Sequence, residues 1–169
     1  MAGSLIEFRS DELRRALQRA QRRCHNMTPA WAQVGEHMLV SVDDNFAAEG
    51  RPTKWQVWSS ATLESKMGGR GKTYTKKGAL RVKANKRLNS DNILTDSGRL
   101  RNSITYRADS GGVQVGTNAK YAAIHQFGGK AGRNKSVTIV KREYLLIQGE
   151  DELIIARIIE DYIIAELAA

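Results

Sequence analysis

The sequence predicts an α+β fold: two N-terminal amphipathic helices, a small antiparallel sheet with short helices, and a long C-terminal helix. Three observations predict it. Apolar residues recur in steps of three and four over the first fifty positions, alternate in steps of two around 104–115, and crowd a final stretch from about 150.

The elements follow in order. Ser10 before Asp11 and Glu12 is a helix start, a side-chain acceptor for free amides with acids at the positive end. Leu13, Ala16, Leu17, Ala20 and Cys24 then share one face, and Arg14, Arg15, Arg19, Arg22 and Arg23 the other. Thr28-Pro29 opens a second helix after a join near Asn26; Trp31, Val34, Met38, Leu39, Val42 and Phe46 line it, and Gly50 stops it. Trp55 and Trp58 are expected to pack on these helices, and Ser60 to Met67 to form a short helix.

From Lys66 the pattern changes. Lys66, Arg70, Lys72, Lys76, Lys77, Arg81, Lys83, Lys86 and Arg87 follow one another with no acid between them, and Gly68, Gly69, Gly71 and Gly78 interrupt them. The chain carries 27 basic and 18 acidic residues, net +9, so without these nine the rest is neutral. The reading is an exposed, mobile basic loop over about 66–90, with a second over about 129–136. Beyond the first loop, Asp96 is expected to cap a short helix running to about Ser103. Ile104, Tyr106 and Ala108 alternate as a half-buried strand, Asp109-Ser110-Gly111-Gly112 turns, and Val113 and Val115 return. A short helix over 120–127 ends at Gly128-Gly129; Val137 to Val140 reads as a further strand, with 144–147 extending the sheet. The last helix runs from about 150 to 168. Ile154, Ile155, Ile158, Ile159, Tyr162 and Ile163, with Leu153, Ile164 and Leu167, cover more than the ~100° stripe of a surface helix, so a second subunit is expected to cover part of it.

Length favours one domain over 1–169, and a chain this size buries roughly 70% of its unfolded surface without disulfide or metal. One cysteine, Cys24, forms no internal bridge. The first eight residues lack the pattern of a secretory signal, and no stretch reaches the ~20 apolar residues of a membrane span, so a soluble protein is expected. Catalytic and metal chemistry find no support. Gly69-Arg70-Gly71-Lys72-Thr73 lacks the first glycine of a phosphate loop, with Lys66 in that place. His25, His37 and His125 are scattered and read as surface or packed histidines, and nothing supports a Cys24–His125 nucleophile pair. Asp43-Asp44 and Glu150-Asp151-Glu152 sit where helix-surface and helix-start acids belong. No cofactor and no small-molecule substrate are expected; the basic segment leaves nucleic-acid contact open beside docking on an acidic protein surface.

The order Leu94-Thr95, Ser97-Gly98-Arg99-Leu100, Ser103-Ile104, Val115-Gly116-Thr117, Tyr121-Ala122, then Ile124-His125-Gln126-Phe127-Gly128-Gly129, resembles the phage virion morphogenesis family. Asn45-Phe46 with Glu49-Gly50-Arg51-Pro52 and Trp55 is similar to its upstream element, and Arg142-Glu143-Tyr144-Leu145 to its downstream one, where the family often has arginine–proline–phenylalanine–leucine. The resemblance implies a small non-catalytic α+β protein of tail completion or head–tail joining, present in the bacterial cytoplasm during assembly and then at the virion's head–tail junction. It implies a homo-oligomeric ring and neck or tail proteins as partners. On this reading the motif is a structural scaffold in which Tyr121, Ile124 and Phe127 pin the helix to the hairpin. The competing reading is a non-specific nucleic-acid-binding protein that uses the nine cations.

Overall fold

The structure, a computed structural model, describes residues 10–90 and 93–165. These group into two compact units, one from residues 10–37, 106–114 and 149–165, the other from 38–90, 93–105 and 115–148.

The first unit begins where the capping chemistry says it should. Ser10 Oγ accepts from the Leu13 amide at 3.1 Å and opens α1 (Asp11–His25), which Asn26 closes. Its apolar face packs far less than its periodicity suggests. Only Ala16 is buried, Leu13 and Leu17 are 49% and 56% exposed, and Cys24 is exposed. α1 packs on α7 (Gly149–Ile164). Arg23 lies over the Tyr162 ring at 4.8 Å and donates to its carbonyl at 2.6 Å, while the Tyr162 hydroxyl donates to the Asn26 carbonyl at 2.8 Å. The first part of α2 (Thr28–Ala47) buries Ala30 and Val34, and Gly35 faces the Tyr106 ring. A Cβ at Gly35 would stand 2.3 Å from Tyr106 Cδ2, so close packing, not flexibility, demands glycine in mid-helix. α7 begins with Asp151 buried against His37. Leu167 lies outside the described residues.

The second unit holds the main core: Val42 and Phe46 from α2, Trp55, Ile93, Leu100, Ile104, Ala122 and Tyr144. Phe46 meets the Trp55 ring edge-on at 5.6 Å and the Tyr144 ring at 5.4 Å, a preferred aromatic arrangement. α3 (Ser60–Met67) covers the predicted short helix; Ser59 caps it, and Gly68 ends it in the left-handed conformation.

Where a loop is predicted over 66–90, the chain instead folds. The one-turn α4 (Arg70–Thr73) leads to a bridge between Tyr74 and Leu80, then to α5 (Val82–Ser90). Buried Thr73, Ala84 and Leu63 explain this, because each gives its short element an inward side that the charge run hides from a periodicity count.

The region before the first hairpin also differs. The helix predicted from Asp96 shrinks to one 3-10 turn (Arg101–Ser103), and Asp96 pairs with Lys66 at 2.6 Å instead of capping it. β1 (Thr105–Asp109) and β2 (Gly112–Gly116) form the expected hairpin, its turn tied by Asp109 Oδ1 accepting from the Gly111 and Gly112 amides at 2.8 and 3.1 Å. α6 (Ala122–Phe127) ends at Gly128, whose φ is +72° and whose Cβ would meet the Lys141 nitrogen at 2.9 Å. The sheet is two sheets. β3 (Gly129–Ala131) pairs antiparallel with β4 (Val137–Ile139), so residues 129–136 comprise a strand and a 3-10 turn (Arg133–Lys135). Residues 144–147 do not extend either sheet; Gln126 takes the Tyr144 and Leu145 backbone groups that a neighbouring strand would have bonded.

Candidate functional site

The motif residues converge in the second unit as an interlocking network. Gln126 Oε1 accepts from the Tyr144 and Leu145 amides at 3.1 and 3.0 Å, and its Nε2 donates to the Leu145 carbonyl at 2.6 Å. The Arg142 amide donates to the His125 carbonyl at 2.8 Å, and the buried Arg142 guanidinium reaches the Gln56 carbonyl at 3.0 Å. Buried Asn45 donates to the Glu143 and Tyr144 carbonyls, both at 3.0 Å, and accepts from the Arg51 amide at 2.7 Å. Trp55 Nε1 donates to the Glu143 carbonyl at 3.1 Å. Three separated sequence elements thus satisfy one another's partly buried backbone groups. Ser103 repeats the pattern, donating to the Leu100 carbonyl at 2.8 Å and bonding Thr117 Oγ1 at 2.6 Å.

Not every motif side chain points inward. Leu100, Ile104 and Ala122 are buried, whereas Tyr121 is 41% and Phe127 73% exposed. Phe127 therefore does not pin α6 to the hairpin; Ala122 and Gln126 hold that helix. A surface pocket of about 260 Å³ opens over the motif, lined by Leu94, Ser97, Leu100, Tyr121 and His125 with Trp58, Lys66 and Asp96. Lys66 sits 4.5 Å over the Trp58 ring as well as on Asp96. Burial pushes the His125 pKa down and the Arg142 charge pushes it further, so the ring is neutral near pH 7. Its Nδ1 is buried with no hydrogen-bond partner among the described residues.

The other histidines and acids take structural positions. His37 bonds Asp151, and His25 donates from Nδ1 to the Gln21 carbonyl in its own helix at 2.8 Å. Arg101 forks onto Asp43, with Nη2 to Oδ2 at 2.6 Å, and holds that carboxyl below the usual range. Among the described residues no group of His, Cys, Asp and Glu could hold a metal ion, and no helix is long and apolar enough to cross a membrane.

The nine cations lie in the folded run from α3 to α5. Arg81 is structural: its Nε donates to the Gly71 and Tyr74 carbonyls at 2.9 and 3.1 Å, and its amide to the Thr73 carbonyl at 2.9 Å. Arg70 lies 5.9 Å from the Tyr74 ring centre. Thr73, the last residue of the phosphate-loop lookalike, is fully buried with its hydroxyl donated to the Gly69 carbonyl at 2.9 Å, which removes it from any ligand. Lys72, Lys76, Lys77, Lys83, Lys86 and Arg87 are exposed. The described part of α7 buries Asp151 alone, and Ile154, Ile155, Ile158, Ile159, Tyr162 and Ile163 all stay partly or largely exposed.

The phage virion morphogenesis family matches residues 9–164, nearly the whole described chain. The chain belongs to this family. It is also similar to the Mu-like prophage FluMu G protein 2 of Haemophilus influenzae, 30% identical over 153 residues that cover 90% of each protein. No solved structure matches. Family membership gives the chain a part in building a phage virion, among other virion proteins. The motif by which the sequence resembles the family is, in this fold, the network around Gln126 and Tyr144. Sequence reasoning missed one member of it, Gln148, which donates to the Arg51 carbonyl at 3.0 Å, and named Arg142 only as part of the downstream element, without its bonds to the Gln56 carbonyl. Neither bond carries a sequence signal, because each reaches a backbone carbonyl far away in the chain.

Proposed function

We propose that the chain is a non-enzymatic structural protein of tail completion or head–tail joining. It works as a homo-oligomer that meets neck or tail proteins, first in the host cytoplasm and then at the head–tail junction. The observation that carries this reading is the uncovered apolar surface of α7, where Leu153 is 73%, Ile154 38% and Ile164 44% exposed. Such surface favours burial by about 25 cal/mol per Å².

A second copy suits it by charge. Exposed Glu150, Glu152, Glu160 and Asp161 flank the apolar residues of α7, while α1 exposes Arg14, Arg15 and Arg22 beside Leu13 and Leu17. Two complementary surfaces at different places on one chain make a head-to-tail contact, which repeats about an axis and can close into a ring.

Light scattering with size exclusion tests this directly. The parent is expected to run as a closed oligomer, and Leu153→Asp with Ile154→Asp as a folded monomer that no longer restores infectivity to tail-defective particles. A parent that stays monomeric at working concentration overturns the ring. An enzymatic activity lost in a folded His125→Ala protein would overturn the non-catalytic reading.

A further inference from the structure

The folded basic run from α3 to α5 lies outside the α1 and α7 surfaces proposed for the ring, and its chemistry points to a different partner. We propose that it is a preformed surface for the phosphate backbone of duplex DNA, bound without sequence preference. The segment is ordered by its own bonds, those of Arg81, Thr73 and the Tyr74–Leu80 bridge, so its cations are held in place before any partner arrives.

Those cations form an uncompensated group. Among the described residues, Lys72, Lys76, Lys77, Lys83 and Lys86 are exposed and have no acidic partner. On α5, Ala84 is fully buried and Leu88 partly buried, while Lys83 and Lys86 occupy exposed positions three apart. Like charges at that spacing destabilise a helix, and a polyanion relieves the repulsion.

The side-chain types choose between anions. Six of the nine cations are lysine. Lysine is depleted from protein–protein interfaces, which favour aromatic residues, methionine and arginine. The only aromatic within the run, Tyr74, is partly buried beside Arg70, so bases of a single strand have no free ring to stack on. Lysine is a flexible point charge suited to phosphate oxygens, which carry no sequence information, so the contact is to phosphates.

The test uses the full chain and a labelled 20-base-pair duplex, with anisotropy read across a salt series. One variant carries Lys72→Gln, Lys76→Gln and Lys83→Gln; a charge-matched control carries Lys130→Gln, Arg133→Gln and Lys135→Gln. Circular dichroism melts verify that both fold. The first variant is expected to lose on the order of 100-fold in affinity at 0.1 M salt and about 3 units of the log–log salt slope, and the control far less. Equal losses in both proteins, or none in either, overturn the assignment. So does displacement of the duplex by poly-glutamate at equal charge concentration, which would make the surface one for acidic protein. Tighter binding of the single strand than of the duplex would likewise sink it. Oligomeric state, read on the same samples, separates failure of this inference from failure of the ring.

Discussion

His37 Nε2 donates to Asp151 Oδ1 at 2.9 Å, and the Asp151 side chain is 2% exposed. The bond joins the middle of α2 to the first turn of α7, where the acid also faces the positive end of the helix. His37→Ala strips a partner from a buried carboxylate and is expected to cost about 1–3 kcal/mol. Thermal melts measure it; unchanged stability would mean that the pair contributes nothing to docking α7.

Gln126 and Phe127 are neighbours in the family motif with opposite environments. Gln126→Ala removes three bonds to the Tyr144–Leu145 backbone and should destabilise by roughly 3 kcal/mol. Phe127→Ser, at a side chain 73% exposed, should stay within about 0.5 kcal/mol in the isolated protein. Denaturant unfolding of the two variants compares them, and a reversed order would refute the scaffold role of Gln126.

Gly35→Ala raises helix propensity by about 1 kcal/mol yet places a methyl group inside the Tyr106 ring. Overpacking costs about 1–3 kcal/mol, so net destabilisation is expected. Tyr106→Ala in the same chain should reverse most of it, and a double-mutant cycle reads the coupling. Additive effects would show that the ring is not the obstacle.

His125 predicts a pH dependence with a definite sign. Its folded pKa lies below 6.5, so below that pH the unfolded chain takes up a proton that the folded one refuses. Stability therefore falls as pH drops from about 6.5 toward the folded value, by at most about 1.4 kcal/mol per pH unit for one proton. His125→Gln should flatten that part of the stability profile. An unaltered slope would place the titration elsewhere.

Local signals carried most of the elements. Ser10, Ser59, Gly68 and Gly128 set helix ends through bonds and backbone angles within a few residues of themselves, so α1, α3 and α6 are readable along the chain. The hairpin at Asp109–Gly112 is equally local. The run from Lys66 to Arg87 was not readable as folded, since its order rests on scattered inward residues, Leu63, Thr73 and Ala84, beneath a dominant charge pattern.

By itself, then, the sequence determined the α+β class, the helix starts and stops, the family and the site of the surplus charge. All of these depend on near neighbours or on residue order. Tertiary structure alone decided that Asn45, Trp55, Gln126 and Arg142 satisfy one backbone segment, that Phe127 faces out, and that Gly35 makes room for Tyr106. Those facts rest on pairs many residues apart, and long-range hydrogen bonds and packing leave no periodicity in the chain that makes them.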